Sequence, residues 1–147
     1  MSEKLKYIVI VNGVPIPIVR KQIQDRIAGG KATFKDIKEE IRYIVDNFNE
    51  VLTKEGVLES LWELRTGFDL REYRTELMNI VTVLEEGEIG GGSEVTIMFE
   101  QSGERLSLDR AYSVPLSSIV EAEPVNTRKG IFYVYRFGVA RAGRVGQ

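Results

Sequence analysis

The feature that most constrains the fold is a change of hydrophobic period at a glycine-rich stretch, residues 87–92. Before this stretch, apolar residues such as Ile80 and Leu84 recur with a spacing near 3.6, which is typical of helices. After it, Val95 and Ile97 alternate with polar residues at the period of a strand. The chain is therefore predicted to be α+β, with a helix-rich region spanning residues 1–87 and a strand-rich region spanning residues 93–140, joined by a Gly-rich turn.

A β-hairpin is predicted at the start of the helix-rich region. Asn12 and Gly13 separate two apolar runs rich in Val and Ile, and this dipeptide accepts the positive φ angles of a type I′ turn. The second run contains Pro15 and Pro17, which lack backbone donors on the same side of the strand. The second strand is therefore predicted to lie at a sheet edge.

Two to three helices are predicted to follow the hairpin. Thr33 and Asp36 have the spacing of a capping box, and Asp69 with Glu72 repeats it. Behind the first cap, apolar residues at helical spacing predict one helix of about five turns that ends near Gly56. These apolar residues are Ile37, Ile41, Ile44, Phe48 and Val51.

The strand-rich region is predicted to form an antiparallel sheet of about four strands, covered by the long helix. Its runs are residues 95–99, 106–108, 114–125 and 131–139, with a polar loop at 126–130. A length of 147 residues is close to that of one average domain. Residues 1–147 are therefore predicted to be a single α+β domain.

Composition limits the catalytic, metal and cofactor sites that the chain can form. The chain has no Cys and no His, which excludes disulfides, His-dependent triads and the common zinc sites. The glycine stretch leads from a helix into a strand, the reverse of the order in which phosphate-binding loops occur. We therefore expect no cofactor and assign no metal ligands.

Neither a secretory signal nor a long apolar segment is apparent, so we expect a cytoplasmic protein with no membrane partner.

The aromatic strand near the end of the sequence suggests nucleic-acid binding. Net charge is −2, yet from Arg128 onward the sequence has five basic residues and no acidic one. Tyr residues on an exposed sheet face could stack on bases beside these cations. The candidate nucleic-acid-binding residues are Arg128, Lys129, Tyr133, Tyr135, Arg136, Arg141 and Arg144.

The same strand resembles in some positions the octamer of RNA-recognition motifs, in which aromatic residues stack on bases. Lys129, Gly130 and Val134 match that octamer. Three positions depart from it and exclude the family, namely Ile131, Phe132 and Arg136. Whether the Tyr face of the strand is exposed or buried stays open at this point.

Three functional hypotheses follow. The first is a non-enzymatic interaction or assembly protein that associates with itself through a sheet edge or a helix face. The second is the nucleic-acid binder described above, with DNA or RNA as its partner. The third is a Mg²⁺-dependent nuclease that uses carboxylates of the acidic middle. Those carboxylates are Glu59, Glu63, Glu72, Glu76, Glu85, Glu86 and Glu88.

Overall fold

A computed structural model describes residues 6–141, which form one mixed six-stranded sheet with helices packed on it. The strand order is β2-β1-β6-β3-β4, and β5 pairs with the first half of β6. The strands are β1 Tyr7–Val11, β2 Val14–Pro17, β3 Val95–Phe99, β4 Glu104–Ser107, β5 Glu123–Thr127 and β6 Gly130–Arg141. The helices are α1 Lys21–Ala28, α2 Phe34–Asp46, α3 Phe48–Leu52, α4 Val57–Leu64, α5 Leu70–Ile89 and α6 Leu108–Ser113. The α+β prediction is confirmed.

The N-terminal hairpin is also confirmed. Asn12 has φ 52° and Gly13 has φ 78°, as a type I′ turn requires. β2 lies at the end of the sheet, where its two prolines are tolerated. Helices cover this edge. The hydroxyl of Tyr73 on α5 donates a 2.7 Å hydrogen bond to the carbonyl oxygen of Pro15. The β2 edge is thus closed to another strand at that carbonyl.

The predicted five-turn helix is broken in two. Its start is correct, since Thr33 and Asp36 form the expected capping box. The helix ends at Asp46 because Asn47 adopts φ −126° and ψ 40°, and its side-chain amide donates to the carbonyl of Tyr43. Asn side chains compete in this way for helical backbone partners. The chain then restarts as α3, so five helices rather than two to three precede the glycines.

The strand-rich region needed two corrections. Its four strands are antiparallel to one another as predicted, but β6 also pairs in parallel with β1, so the hairpin belongs to the same sheet. Residues 114–125 are not one strand: Leu116–Ser118 form a 3₁₀ turn and β5 begins at Glu123. Ser107 caps α6 by accepting a hydrogen bond from the amide of Arg110. A local cap therefore outweighed the strand-like alternation before it.

The glycine stretch lies at the end of α5 and is partly inside it. Gly87 is helical, and a Cβ there would stand 2.7 Å from Cγ2 of Val95 and 3.0 Å from Cδ2 of Leu108. Gly91 and Gly92 have φ 96° and 80°, values that favour glycine. Gly87 therefore allows α5 to approach the sheet closely, while the later glycines turn the chain into β3.

The main hydrophobic core lies between the helices and one face of the sheet. It includes buried residues of both regions, such as Ile37 and Leu77 from helices and Val95 and Phe137 from strands. The opposite face carries a second, small cluster of Ile8, Phe132 and Val134. Among the helices of the described residues, none is long and apolar enough to span a membrane.

Candidate interaction surface

The most exposed aromatic residue of the described chain is Trp62 on α4. This helix turns Val57 and Leu61 into the core, because they lie four residues apart on one face. The opposite face carries Glu59 and Trp62, and Trp62 is 53% exposed. Trp is highly buried on average and is enriched in protein interfaces, so an indole that is half exposed marks a candidate contact surface.

Trp62 lines an open groove of about 480 Å³ between α4 and the turn that joins β5 to β6. Glu59 and Glu63 contribute the helix side, and Arg128 and Lys129 contribute the turn side. Nε of Arg128 lies 3.0 Å from Oε2 of Glu63. Lys129 makes no ion pair with a described residue. We call these five residues the Trp62 groove.

The charges of the Trp62 groove cancel. Its two carboxylates and two basic groups give no net charge, and the acids stand on one wall while the bases stand on the other. A nucleic-acid site instead concentrates positive charge along the path of the phosphates. The arrangement of an aromatic residue between opposite charges fits a protein partner better.

The predicted nucleic-acid-binding residues are spread along β6. Arg128 and Lys129 lie in the Trp62 groove. Arg136 pairs with Glu123 at 3.1 Å, and Arg141 pairs with Glu86. Arg144 lies outside the described residues. Gly130 and Arg141 are separated by the length of the strand, roughly 36 Å at about 3.3 Å per residue, so these cations do not form one cluster.

The aromatic face of β6 is exposed at its start and buried further along. Ile131 is 52% and Tyr133 41% exposed, whereas Tyr135 is 6% exposed and Phe137 is fully buried. The Tyr133 ring lies 6.1 Å from that of Tyr7. Tyr133 can therefore present its ring to a partner, but the ring of Tyr135 is covered by the protein.

The acidic end of α5 is already bound to basic groups of the same chain. Lys38 lies 3.8 Å from Glu85 and 3.6 Å from Glu88, and Arg42 also reaches Glu85. The hydroxyl of Tyr112 donates to Glu88 at 2.6 Å. Burial and this hydrogen bond raise the pKa of Tyr112. Within residues 6–141, no group of three acidic side chains is arranged to hold a metal ion.

Glu76, another carboxylate of the nuclease hypothesis, is also paired. Arg65 donates to both of its oxygens, at 2.7 Å and 2.8 Å. The hydrogen bond with Glu76 is the main cause of a raised pKa of Arg65. Such a bidentate pair fixes the loop between α4 and α5, and leaves Glu76 poorly placed to bind a cation.

Sequence reasoning missed the buried carboxylate of Glu40. Its Oε2 accepts hydrogen bonds from the backbone amides of Val19 and Arg20 at 2.7 Å and 3.0 Å, and its Oε1 lies 2.7 Å from Nε of Arg20. Its place in the helical pattern indicated burial, because Glu40 is three residues after Ile37 on the buried face of α2. Glu40 holds the junction between β2 and α1.

The sequence did not indicate that Trp62 faces outward, because Val57 with Leu61 and Leu58 with Trp62 are both apolar pairs at helical spacing. Leu61 beside it is fully buried, and an apolar pair of this kind does not reveal which member packs inside.

No known protein family, curated protein or solved structure matches this chain.

Proposed function

We propose that this protein is a non-enzymatic interaction protein that assembles with a second copy of itself through the Trp62 groove. The observation that carries the proposal is an exposed Trp between an acidic wall and a basic wall whose charges are equal in magnitude and opposite in sign. Trp and Arg are the residues most often found at the energetic centre of protein interfaces.

A twofold contact suits this pattern. In a symmetric dimer the same patch meets itself, so a residue on one wall contacts the other wall of the partner. With Trp62 near the axis, Glu59 of each copy would face Lys129 of the other. The two acidic walls would then meet two basic walls, and both indoles would leave water.

The test is the molar mass in solution, measured by size-exclusion chromatography with light scattering over a range of concentrations. We expect a dimer whose population falls with dilution, and a monomer for Trp62→Ala. Ile89→Ala is the matched control, because Ile89 is 88% exposed at the far end of α5. A monomer at all concentrations, or a dimer that Trp62→Ala leaves intact, would contradict the proposal.

Charge reversal tests the pairing of the walls. Glu59→Lys alone and Lys129→Glu alone should each weaken the dimer, since like charges then meet across the axis. An equimolar mixture of the two variants should restore it as a heterodimer, because the lysine introduced in one chain then faces the glutamate introduced in the other. Failure of the mixture to associate would exclude this orientation.

Nucleic-acid binding is the second candidate. It is favoured by the 41% exposed ring of Tyr133 and by Lys129, which no described carboxylate pairs. It predicts binding to DNA or RNA with an affinity that falls linearly with salt on logarithmic axes. Arg141→Ala with Arg144→Ala should weaken that binding. Binding that ignores salt, or its absence at low salt, would eliminate this candidate.

A further inference from the structure

A second groove lies between α3 and α5, away from the Trp62 groove. It has a volume of about 540 Å³ and continues into a neighbouring hollow of about 440 Å³. The two share Phe48, Asn49 and Arg74. Between Leu70 and Met78 the groove follows α5 for about two helical turns, or roughly 12 Å at about 1.5 Å per residue.

The groove combines an apolar lining with an exposed anchor point. Phe48 and Met78 are half-buried, and Leu70 is 44% exposed although it is a large apolar residue. Leu70, Arg74 and Met78 are four residues apart along α5, so they form one stripe. A stripe of this kind beside a second helix is the geometry in which an amphipathic helix docks.

The charge of the larger hollow has one sign. Arg71 and Arg74 line the 540 Å³ groove and no carboxylate does, whereas Asp46 and Glu50 line the neighbouring 440 Å³ hollow, so the positive charge is confined to the side that follows α5. Most described arginines pair with an acidic side chain, as Arg65 does with Glu76, but neither of these two has an ion pair with any described residue. Arg74 instead contacts the carbonyl of Val45 at 3.4 Å and lies 5.8 Å from the centre of the Phe48 ring. Neither guanidinium is neutralised by a described carboxylate, and the long contact of Arg74 with Val45 leaves its other donors available to an acidic ligand.

We propose that the groove between α3 and α5 binds an acidic amphipathic helix of a partner protein. Apolar side chains on one face of that helix would rest on Phe48, Leu70 and Met78. Carboxylates beside that face would accept hydrogen bonds from Arg71 and Arg74, for which guanidinium geometry is suited. The proposal is independent of self-association, because the two grooves have no residue in common.

The probe is a short, labelled, helix-forming peptide with Leu at i, i+3, i+4 and i+7 and Glu at flanking positions. Its counterpart carries Lys in place of each Glu and keeps the leucines. We expect the acidic peptide to bind in fluorescence anisotropy and to shift backbone amide resonances of α3 and the first turns of α5. The Lys peptide should not bind, since it would meet two unpaired cations.

Variants locate the site. Arg71→Glu combined with Arg74→Glu should weaken binding at least about tenfold, the change that 1.4 kcal/mol produces. The matched control is Arg105→Glu with Arg110→Glu, because these arginines are also exposed and lack a described ion pair, and the net charge changes equally. Leu70→Ser removes the apolar anchor without altering charge and should also weaken binding of the acidic peptide. Circular dichroism verifies that each variant is folded.

The outcomes separate the two proposals. Trp62→Ala should abolish the dimer and leave peptide binding unchanged, whereas the Arg71 and Arg74 reversal should do the opposite. The docking proposal is wrong if the acidic peptide fails to bind at millimolar concentration or if the Lys peptide binds equally well. It is also wrong if the control pair of reversals weakens binding as much, or if an oligonucleotide displaces the peptide from this groove.

Discussion

The first half of β6 and its second half lie in different surroundings. Residues 130–134 pair with β5, begin beside the Trp62 groove and expose Ile131 and Tyr133. Residues 137–141 pair with β3 and place Phe137 and Val139 under the helices. Both halves belong to one continuous strand. What differs is the layer above them, so the aromatic residues of one strand serve as surface at one end and as core at the other.

The two halves of β6 meet at residues 135 and 136, which neither β5 nor β3 pairs in register, and a side chain supplies hydrogen bonds there. Between the partners β5 and β3, the amide of Gln101 donates to the carbonyl of Val134 at 3.0 Å and accepts from the amide of Arg136 at 2.9 Å. Asn12 does the same on the β1 side for the backbone of Val139. Two side-chain amides thus complete the pairing of β6, where strand backbone is absent.

The largest expected difference between the halves is in stability. Phe137→Ala should lower the free energy of unfolding by about 3–5 kcal/mol, because it leaves a cavity in a packed core. The Phe137 ring contacts Phe34 and Phe99 edge to face, with centroids 5.1 Å and 5.0 Å away. Tyr133→Ala should cost about 1 kcal/mol or less. Urea denaturation measures both, and equal losses would contradict the comparison.

A smaller effect is expected where the halves meet. Gln101→Met removes both hydrogen bonds to β6 and should cost about 1 kcal/mol. Hydrogen exchange of the Arg136 amide should accelerate, because its acceptor is lost. The Val139 amide is the internal control, since Asn12 holds it and should keep its protection. If Arg136 exchanges no faster than before, Gln101 does not close the gap.

High pH should lower the free energy of unfolding through tyrosines that the protein buries. Burial raises the pKa of Tyr135, and also that of Tyr73, above the ordinary value of 10.0. The folded state then holds these protons longer than the unfolded state, so stability is complete below about pH 10 and falls as pH rises further. The urea midpoint should drop above about pH 10, and less steeply for Tyr135→Phe. An unchanged slope in that variant would contradict the assignment.

The smallest effect is expected at the far end of the strand. Arg141 pairs with Glu86 at the surface, and both side chains are about half exposed. Arg141→Ala should therefore change stability by about 0.5 kcal/mol or less. Thermal unfolding at low and high salt measures this change. A loss of several kcal/mol would mean that this end of β6 depends on the ion pair rather than on the core beneath it.

Local signals in the sequence predicted the turns and caps well. Asn12 with Gly13, Thr33 with Asp36 and the switch of period after the glycines each involve only neighbouring residues, and the structure confirms them. The failures have local causes too: Asn47 broke a helix that periodicity continued, and Ser107 started one that alternation hid. In both cases a polar side chain bonded to the nearby backbone outweighed the apolar pattern.

The candidate surfaces were less predictable. Arg128 and Lys129 were singled out from the sequence, but Trp62 and Glu59 were not associated with them, because α4 and the β5–β6 turn are more than sixty residues apart. Likewise, the ion pair of Arg141 with Glu86 connects residues that no spacing rule links. Such pairings depend on how the helices pack on the sheet.

By itself, the sequence determined the α+β class, the hairpin with its proline edge and the capped starts of α2 and α5, since short-range sterics and hydrogen bonds decide these. Only the tertiary structure decided that β1 joins β6 in parallel, that Tyr133 is exposed while Tyr135 is buried, and which charges remain unpaired. The physical reason is that burial and charge pairing arise from contacts between distant segments, and alternation along one strand does not indicate which face a helix will cover.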